Sequence, residues 1–410
     1  MGTFGHCENE YHVDARSVPG SIRESGLSPR MISHEYMVAT YPMSRSATNL
    51  VSSSFDFFLS HTFLSSIFRL RPKVLIISLF VLEANVWLDH YQPSLQAHAI
   101  DVPGLSPMFP SVQCTANGDV CQATLGEGEI NAAASMSALL FSDAFDLRKT
   151  YFIVAGVGGI SPHRGTLGTA AFARYTVQVL QQYALDRKDT PKNWTSTLWN
   201  YGTTMPGIYP LSTYGTEVFK LNTALAERAY NISKIQTAGR LNDSQPAQAF
   251  RSRYDYAPAN QKPAVILGDV TTSDTFFAGA TLATQIEDTV SVLTNGSSTY
   301  TLTAQEDNAI LEALVRAQIA GRADYSRAII LRTGSDFDRA PPGLSEYDSF
   351  SYAQGGFEPA LANLFIAGSP VVDAILKDWK EYRRGIAHPP GFYGDIWQTL
   401  SLGPGQKPAV

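Results

Sequence analysis

The sequence predicts an α/β fold built on a mainly parallel sheet, and three observations carry that expectation. Four short runs are apolar at consecutive positions and rich in β-branched residues, the pattern of strands buried on both faces. Helix-length stretches lie between them, and alternating strands and helices imply a sheet covered by helices. Small and acidic residues gather just past the ends of the runs, where such sheets collect their sites.

The first run is Lys73-Val-Leu-Ile-Ile-Ser78. Similar runs recur at Tyr151-Phe-Ile-Val154, Ala264-Val-Ile-Leu267 and Arg327-Ala-Ile-Ile-Leu331. Three stretches read as helices. Ile130 to Phe141 is rich in Ala and Leu, and Thr216 to Tyr230 is amphipathic. Thr303 to Ile319 places Leu311, Leu314, Val315 and Ile319 on one face. The stretch from Asp186 to Gly215, rich in Pro, Asn, Thr and Gly, reads as a long surface excursion, and no internal repeat is visible.

Composition narrows the function. The 410 residues are 44% hydrophobic and 17% charged, with 31 basic against 37 acidic side chains and a formal charge of −6. That balance argues against a general nucleic-acid binder, whose surface is usually basic. The apolar runs are short, and a bilayer-crossing helix needs about 20 apolar residues, so no integral membrane span and no multi-span transporter is expected. Three cysteines are too few for a disulfide scaffold. Cys114 and Cys121 flank the turn dipeptide Asn117-Gly118 and form a candidate disulfide in an oxidised chain. Sequons at Asn193, Asn231, Asn242 and Asn295 point the same way, to a secreted or cell-surface glycoprotein, with the cytoplasm as the alternative.

Residues 1–71 read as a leader, either disordered or a degenerate secretion signal. The first 48 are rich in Ser, Met, His and Arg without a sustained period, and residues 50–70 are apolar but broken by Asp56 and His61. The folded domain is expected over 72–400, with a tail over 401–410.

Several familiar motifs are missing. There is no phosphate-loop motif, no H-E-x-x-H zinc helix and no G-x-S-x-G nucleophile elbow. Gly156-Val-Gly158-Gly159 follows a strand, but Ser161 stands where the dinucleotide fingerprint needs its last glycine. No cofactor and no metal are expected. What remains is an ordered series of phrases: Glu83 five residues past the first strand, Gly126-Glu127-Gly128 opening a helix, Gly156 to Gly159, Thr272-Ser-Asp-Thr-Phe-Phe277, and Ser335-Asp336 past the last strand.

That order resembles the nucleoside phosphorylase and nucleosidase superfamily. The phrases Cys-Thr-Ala-Asn-Gly-Asp (114–119), Gly-Glu-Gly-Glu-Ile-Asn-Ala (126–132), Thr-Ala-Gln-Glu-Asp-Asn (303–308) and Gly-Gly-Phe-Glu-Pro-Ala (355–360) are similar to the purine nucleoside permease family over roughly residues 72 to 397. The resemblance implies a single-domain, three-layer αβα fold with a twisted, mixed, mostly parallel sheet. Within the superfamily the chain is most similar to the methylthioadenosine/S-adenosylhomocysteine nucleosidases. By that likeness Glu83 stands for the water-activating glutamate, and Leu125-Gly126-Glu127-Gly128 for the glycine loop beside the attacking water. Ala155 to Gly159, with Gly158 and Gly159, matches a glycine strand end. Phe276 stands for the purine-stacking ring, and Arg332-Thr-Gly-Ser335-Asp336 for the segment bearing the purine-protonating acid. Glu306 is the choice for the ribose-binding acid, with Asn308 as substitute. Self-association as a homo-oligomer is implied in the same way.

The chemistry suits these types. Cleaving an N-glycosidic bond needs an acid at the purine and a carboxylate across the sugar to orient water, roles falling to Asp336 and Glu83. An acid beside the ribose hydroxyls favours developing positive charge, and a ring under the base contributes about 1–3 kcal/mol. Competing structural readings stand beside them. Thr303-x-x-Glu306 is also a capping box. Glu83 and Asp336 can serve as helix N-terminal carboxylates, Phe276 as core, and the glycines as turn formers. The loop from Ser78 to Trp87 has no Arg or Lys, and Glu127 adds negative charge, so a phosphate dianion is disfavoured and hydrolysis is expected over phosphorolysis. A non-catalytic nucleoside-binding protein that assists transport is the rival reading.

Overall fold

Of the four apolar runs, three lie close together in one large sheet. The computed structural model describes residues 69–402 and residue 406. The expected leader falls almost wholly outside these residues, as does most of the expected tail. The strands are β1 (Val74–Ser78), β2 (His98–Asp101), β3 (Ser111–Cys114), β4 (Val120–Thr124), β5 (Tyr151–Ile160), β6 (Ala170–Phe172), β7 (Tyr175–Gln178), β8 (Gln182–Ala184), β9 (Leu198–Asn200), β10 (Val218–Lys220), β11 (Val265–Leu267), β12 (Asp269–Thr272), β13 (Tyr300–Ala304), β14 (Ala328–Phe337) and β15 (Gly394–Asp395). The helices are α1 (Val81–Leu88), α2 (Glu129–Phe141), α3 (Thr223–Gln236), α4 (Gln245–Arg251), α5 (Ala280–Leu293), α6 (Asp307–Ile319), α7 (Glu346–Ser351), α8 (Phe357–Lys377) and α9 (Trp379–Tyr382).

The spine of the sheet is β5. Its first half pairs in parallel with β1, while β14 runs parallel along its other edge to its last residue, Ile160. β13 meets it antiparallel at Ile160. β4 extends the sheet in parallel beyond β1, whereas β3 and β2 follow antiparallel. On the far side β7, β12 and β13 are mutually parallel. The sheet is therefore mixed with a parallel centre.

Strict alternation along β1 divides the core into two layers. Leu75 and Ile77 pack with Phe152, Val154 and Ile330 against Met136 and Leu139 of α2 and Leu311 and Leu314 of α6. Val74 and Ile76 pack with Ile153 and Leu331 against Trp87 of α1, Leu225 of α3 and Leu364 and Val371 of α8. Helices thus cover both faces, which is the expected three-layer αβα arrangement. Cys114 and Cys121 lie opposite each other where β3 turns into β4, and a disulfide joins them.

Four expectations about elements need correction. The stretch from Thr303 is not helical until Asp307, because Tyr300–Ala304 is recruited as β13 beside β12. Thr303 therefore forms no capping box: its Oγ1 accepts a hydrogen bond from Gly159 N at 3.0 Å, and the Glu306 side chain makes no cap bond. The helix expected from Thr216 starts at Thr223, where the Asn222 side chain caps it, and Val218–Lys220 is β10. β5 and β14 each run ten residues, so Gly156–Gly159 and Ser335–Asp336 lie within strands rather than past their ends. Finally, α8 is a 21-residue helix long and apolar enough to cross a bilayer by length and composition, against the expectation of no such segment. It is a largely buried core helix whose apolar face lies on the sheet.

β13 and β5 approach so closely that Gly158 has no room for a side chain. A Cβ there would stand 1.8 Å from the Thr303 carbonyl oxygen. Gly158→Ala is expected to cost about 3 kcal/mol or more by forcing these strands apart. The check is a lower urea midpoint at unchanged slope; an unmoved midpoint refutes the close approach.

Candidate functional site

The candidate site grows from the carboxyl-terminal stretch of β5, where its neighbours converge. Arg332, on β14, is fully buried. Its Nε lies 3.2 and 3.3 Å from the two Asp307 carboxylate oxygens, and its Nη2 donates to Asp307 at 2.7 Å and to Glu306 Oε2 at 3.0 Å. Its Nη1 donates to the Val157 carbonyl at 3.2 Å. Gly156 makes the space, since a Cβ there would be 2.3 Å from that guanidinium. Burial opposes the charge, but two carboxylates outweigh it, and the Arg332 pKa stays raised.

Glu306 also reaches the glycine loop. Its Oε1 accepts from Gly128 N at 3.0 Å. Gly126 and Gly128 have φ of +91° and +86°, a region that favours glycine, and this bent backbone aims the amide at Glu306. The next amide, Glu129 N, donates to Asp274 Oδ1 at 2.9 Å, so the segment after β12 joins the same cluster. Gln178 holds the Glu129 carboxylate at 2.9 Å, and burial, then Asp274, raise the Glu129 pKa.

Glu83, in the first turn of α1, is buried on the other side of Arg332. Its Oε2 accepts from Leu79 N at 2.8 Å and its Oε1 from Val157 N at 2.7 Å. Burial pushes its pKa up to about 8, against the opposing pull of Arg332, with Glu306 adding to the rise. The carboxyl is thus mostly protonated at neutral pH.

Asp336 lies beside Gly159, two residues further along β5 than the Val157 amide that holds Glu83. No hydrogen bond joins the two acids. Asp336 retains some surface, yet desolvation raises its pKa to about 6 against the hydrogen bond from Ser335. Ser335 Oγ is 2.6 Å from Asp336 Oδ1 and 3.0 Å from the Gly158 carbonyl. One hydroxyl proton serves only one of these acceptors. When Asp336 is protonated it can donate to Ser335, freeing the serine proton for Gly158.

The remaining candidates separate. Phe276 is 63% exposed and meets Phe350 edge-on at 5.6 Å, so it belongs to no core. Asn308 is buried but faces away from Arg332, donating to the Thr216 and Glu217 carbonyls. Gly159 sits against Thr303, where a Cβ would be 2.7 Å from Oγ1. The sequence alone does not single out Asp307, although its place in Glu306-Asp307-Asn308 is the available signal, and Asp274 stands in it only within the Thr272–Phe277 phrase. Among the described residues no His, Cys, Asp or Glu cluster is suited to hold a metal ion.

Two consequences are measurable. Arg332→Met strands Glu306 and Asp307 without their cation, and a loss of about 3–5 kcal/mol is expected on chemical denaturation. Asp336 binds its proton more tightly in the fold than at its ordinary pKa of 3.8. Its ionisation therefore removes stability as pH rises from about 4 to about 6. Asp336→Asn should abolish that decline, gaining on the order of 2 kcal/mol over wild type across the window after allowance for its partial exposure. Equal pH dependence in both proteins would refute the shift.

Comparison with known proteins places the chain. A family model described as purine nucleoside permease matches residues 71–387. A purine nucleoside permease of Candida albicans is 43% identical over 338 residues, covering 80% of this chain and 82% of the relative. A Schizosaccharomyces pombe protein named a probable purine nucleoside permease is 35% identical, covering 75% of this chain and 90% of its own length. Among solved structures, the 5′-methylthioadenosine/S-adenosylhomocysteine nucleosidase of Neisseria meningitidis covers 74% of this chain and 98% of its own, at 15% identity and a TM-score of 0.45. The matches over most of the length show that the chain belongs to the purine nucleoside permease family.

Proposed function

We propose that this protein binds purine nucleosides and cleaves their N-glycosidic bond by hydrolysis. The observation that carries the reading is the pair of desolvated carboxyl groups held along one stretch of β5. Glu83 is anchored at Val157 and Asp336 lies beside Gly159. These anchor points lie two residues, about 7 Å, apart along the strand, and the reading requires a sugar and its attacking water to fit between the two acids.

The Asp336 O–H gives its proton to the purine as the C1′–N bond breaks and the bonding pair leaves with the base. Water attacks C1′, and its proton passes to ionised Glu83. Glu306, beside Arg332, serves the ribose hydroxyls. Phe276 is open to stack on the purine. Phosphorolysis is disfavoured because the cation of the cluster, Arg332, spends its donors on Glu306, Asp307 and the Val157 carbonyl. Carboxylates surround the rest. Hydrolysis outside the cell, with the freed base then imported, accounts for the word permease in the relatives' names. That name also favours a second reading, a nucleoside-binding protein without turnover.

The experiment is incubation of purified protein with inosine or adenosine in phosphate-free buffer. Free base and ribose are expected, and Asp336→Asn or Glu83→Gln should lower their release by about 10²–10⁴-fold. Nucleoside binding without base release supports the second reading; ribose 1-phosphate formed only with added phosphate overturns the hydrolytic one. The pH profile tests the assignment further. The active form carries a proton on Asp336 and none on Glu83, the reverse of their affinities, about 1% of molecules at pH 7. The rate should rise to about pH 6, stay level, and fall above about pH 8, with the lower limb belonging to Asp336.

A further inference from the structure

The opposite end of the sheet carries a second candidate site of contrary charge. At the amino-terminal ends of β5 and β14 an open cleft of about 470 Å³ is lined by Lys149, Trp379, Lys380, Arg383 and Arg384. The volume is in the range of small-ligand pockets. β5 runs ten residues between the two ends, so roughly 20 Å or more separates this cleft from the acids near Val157 and Gly159.

The walls are fixed from behind. Buried Arg327 donates from Nη1 to the Lys149 carbonyl at 3.3 Å and to the Tyr382 carbonyl at 2.8 Å, and from Nη2 to the Arg383 carbonyl at 3.1 Å. It thereby ties the segment bearing Lys149 to the segment bearing Arg383. Its own charge is met by Asp324 at 2.9 Å. Tyr151 adds a hydrogen bond from its hydroxyl to the Tyr382 carbonyl at 2.8 Å.

The rim charges are less committed, although Arg384 donates from Nε to the Lys380 carbonyl at 3.3 Å and adds to the charge acting on Glu381. Among the described residues none of Lys149, Lys380, Arg383 and Arg384 takes part in an ion pair, whereas Glu381 on the same helix is neutralised by Arg228 at 2.5 Å. Asp378 is the remaining acid of that turn. Four cations therefore converge on one opening in a chain whose formal charge is −6. Trp379, half-buried, forms an apolar wall, with Lys73 5.8 Å above its ring. Like charges held together repel, and an anion with several phosphate groups relieves that repulsion while pairing with Arg383 and Arg384 in bidentate fashion.

We propose that this cleft binds a multiply phosphorylated anion, either free in solution or as the headgroup of a phosphorylated lipid. The site is independent of the nucleoside-cleaving reading. Its test is calorimetric titration of the full chain with tripolyphosphate, alongside co-sedimentation with phosphatidylcholine vesicles with and without phosphatidylinositol bisphosphate. Binding of one or both probes, weakened at least 10-fold in the Lys380→Glu/Arg383→Glu double variant and weakened by added salt, is the expected result. Which probe binds identifies the source. The double variant should keep the wild-type melting temperature, since both side chains are exposed, and Lys380→Ala/Arg383→Ala provides a milder second variant. Binding to neither probe, or equal binding by wild type and both variants, overturns the proposal.

Discussion

One buried guanidinium organises the carboxyl end of this sheet. Arg332 leaves β14, crosses the glycine gap in β5 and meets Glu306 and Asp307 at the start of α6. Removing a lone cation from water costs several kcal/mol or more, and only close, well-bonded carboxylates offset it. Through Glu306 the same contact fixes the Gly128 amide and hence the start of α2. Through its charge it restrains the protonation of Glu83. The placement of β14, β5, α6 and the start of α2 thus depends on one side chain having its partners.

That dependence also limits the chemistry open to the site. A cation already paired on three sides has little left for an incoming anion, and the carboxyl groups beyond it leave a surface better suited to a developing positive charge. The two ends of β5 differ accordingly. At one end acids are desolvated and the cation is spent; at the other, cations ring an open cleft. The overall negative charge conceals this polarity, because it is a property of where strands end.

Much of the fold was legible because its central strands are apolar on both faces. Runs such as Val74 to Ile77 fit few environments other than the middle of a covered sheet. The cluster of acids was legible by order of motifs rather than by periodicity. What escaped notice was decided by distant contacts. Thr303 looks like a helix start until Gly159 offers an amide to its hydroxyl and β12 pairs alongside. Asp307 reads as an ordinary first-turn acid until Arg332 arrives from 25 residues downstream. The Phe357–Lys377 helix escaped because Pro370, Asp373 and small residues break its apolar run, although in three dimensions its apolar face closes the layer over Trp87.

The pairing of β14 with β5 slips by one residue between Gly334 and Asp336. Side chains on a strand alternate sides, so an inserted residue reverses the parity of everything after it. Ser335 is the added position, and it lets Asp336 stand opposite Gly159, where an unbroken ladder would have put its hydroxyl-bearing neighbour. The aim of the acid is therefore written in the count of residues along β14: without the slip, Ser335 would face Gly159 and Asp336 would stand one position on, turned to the other face.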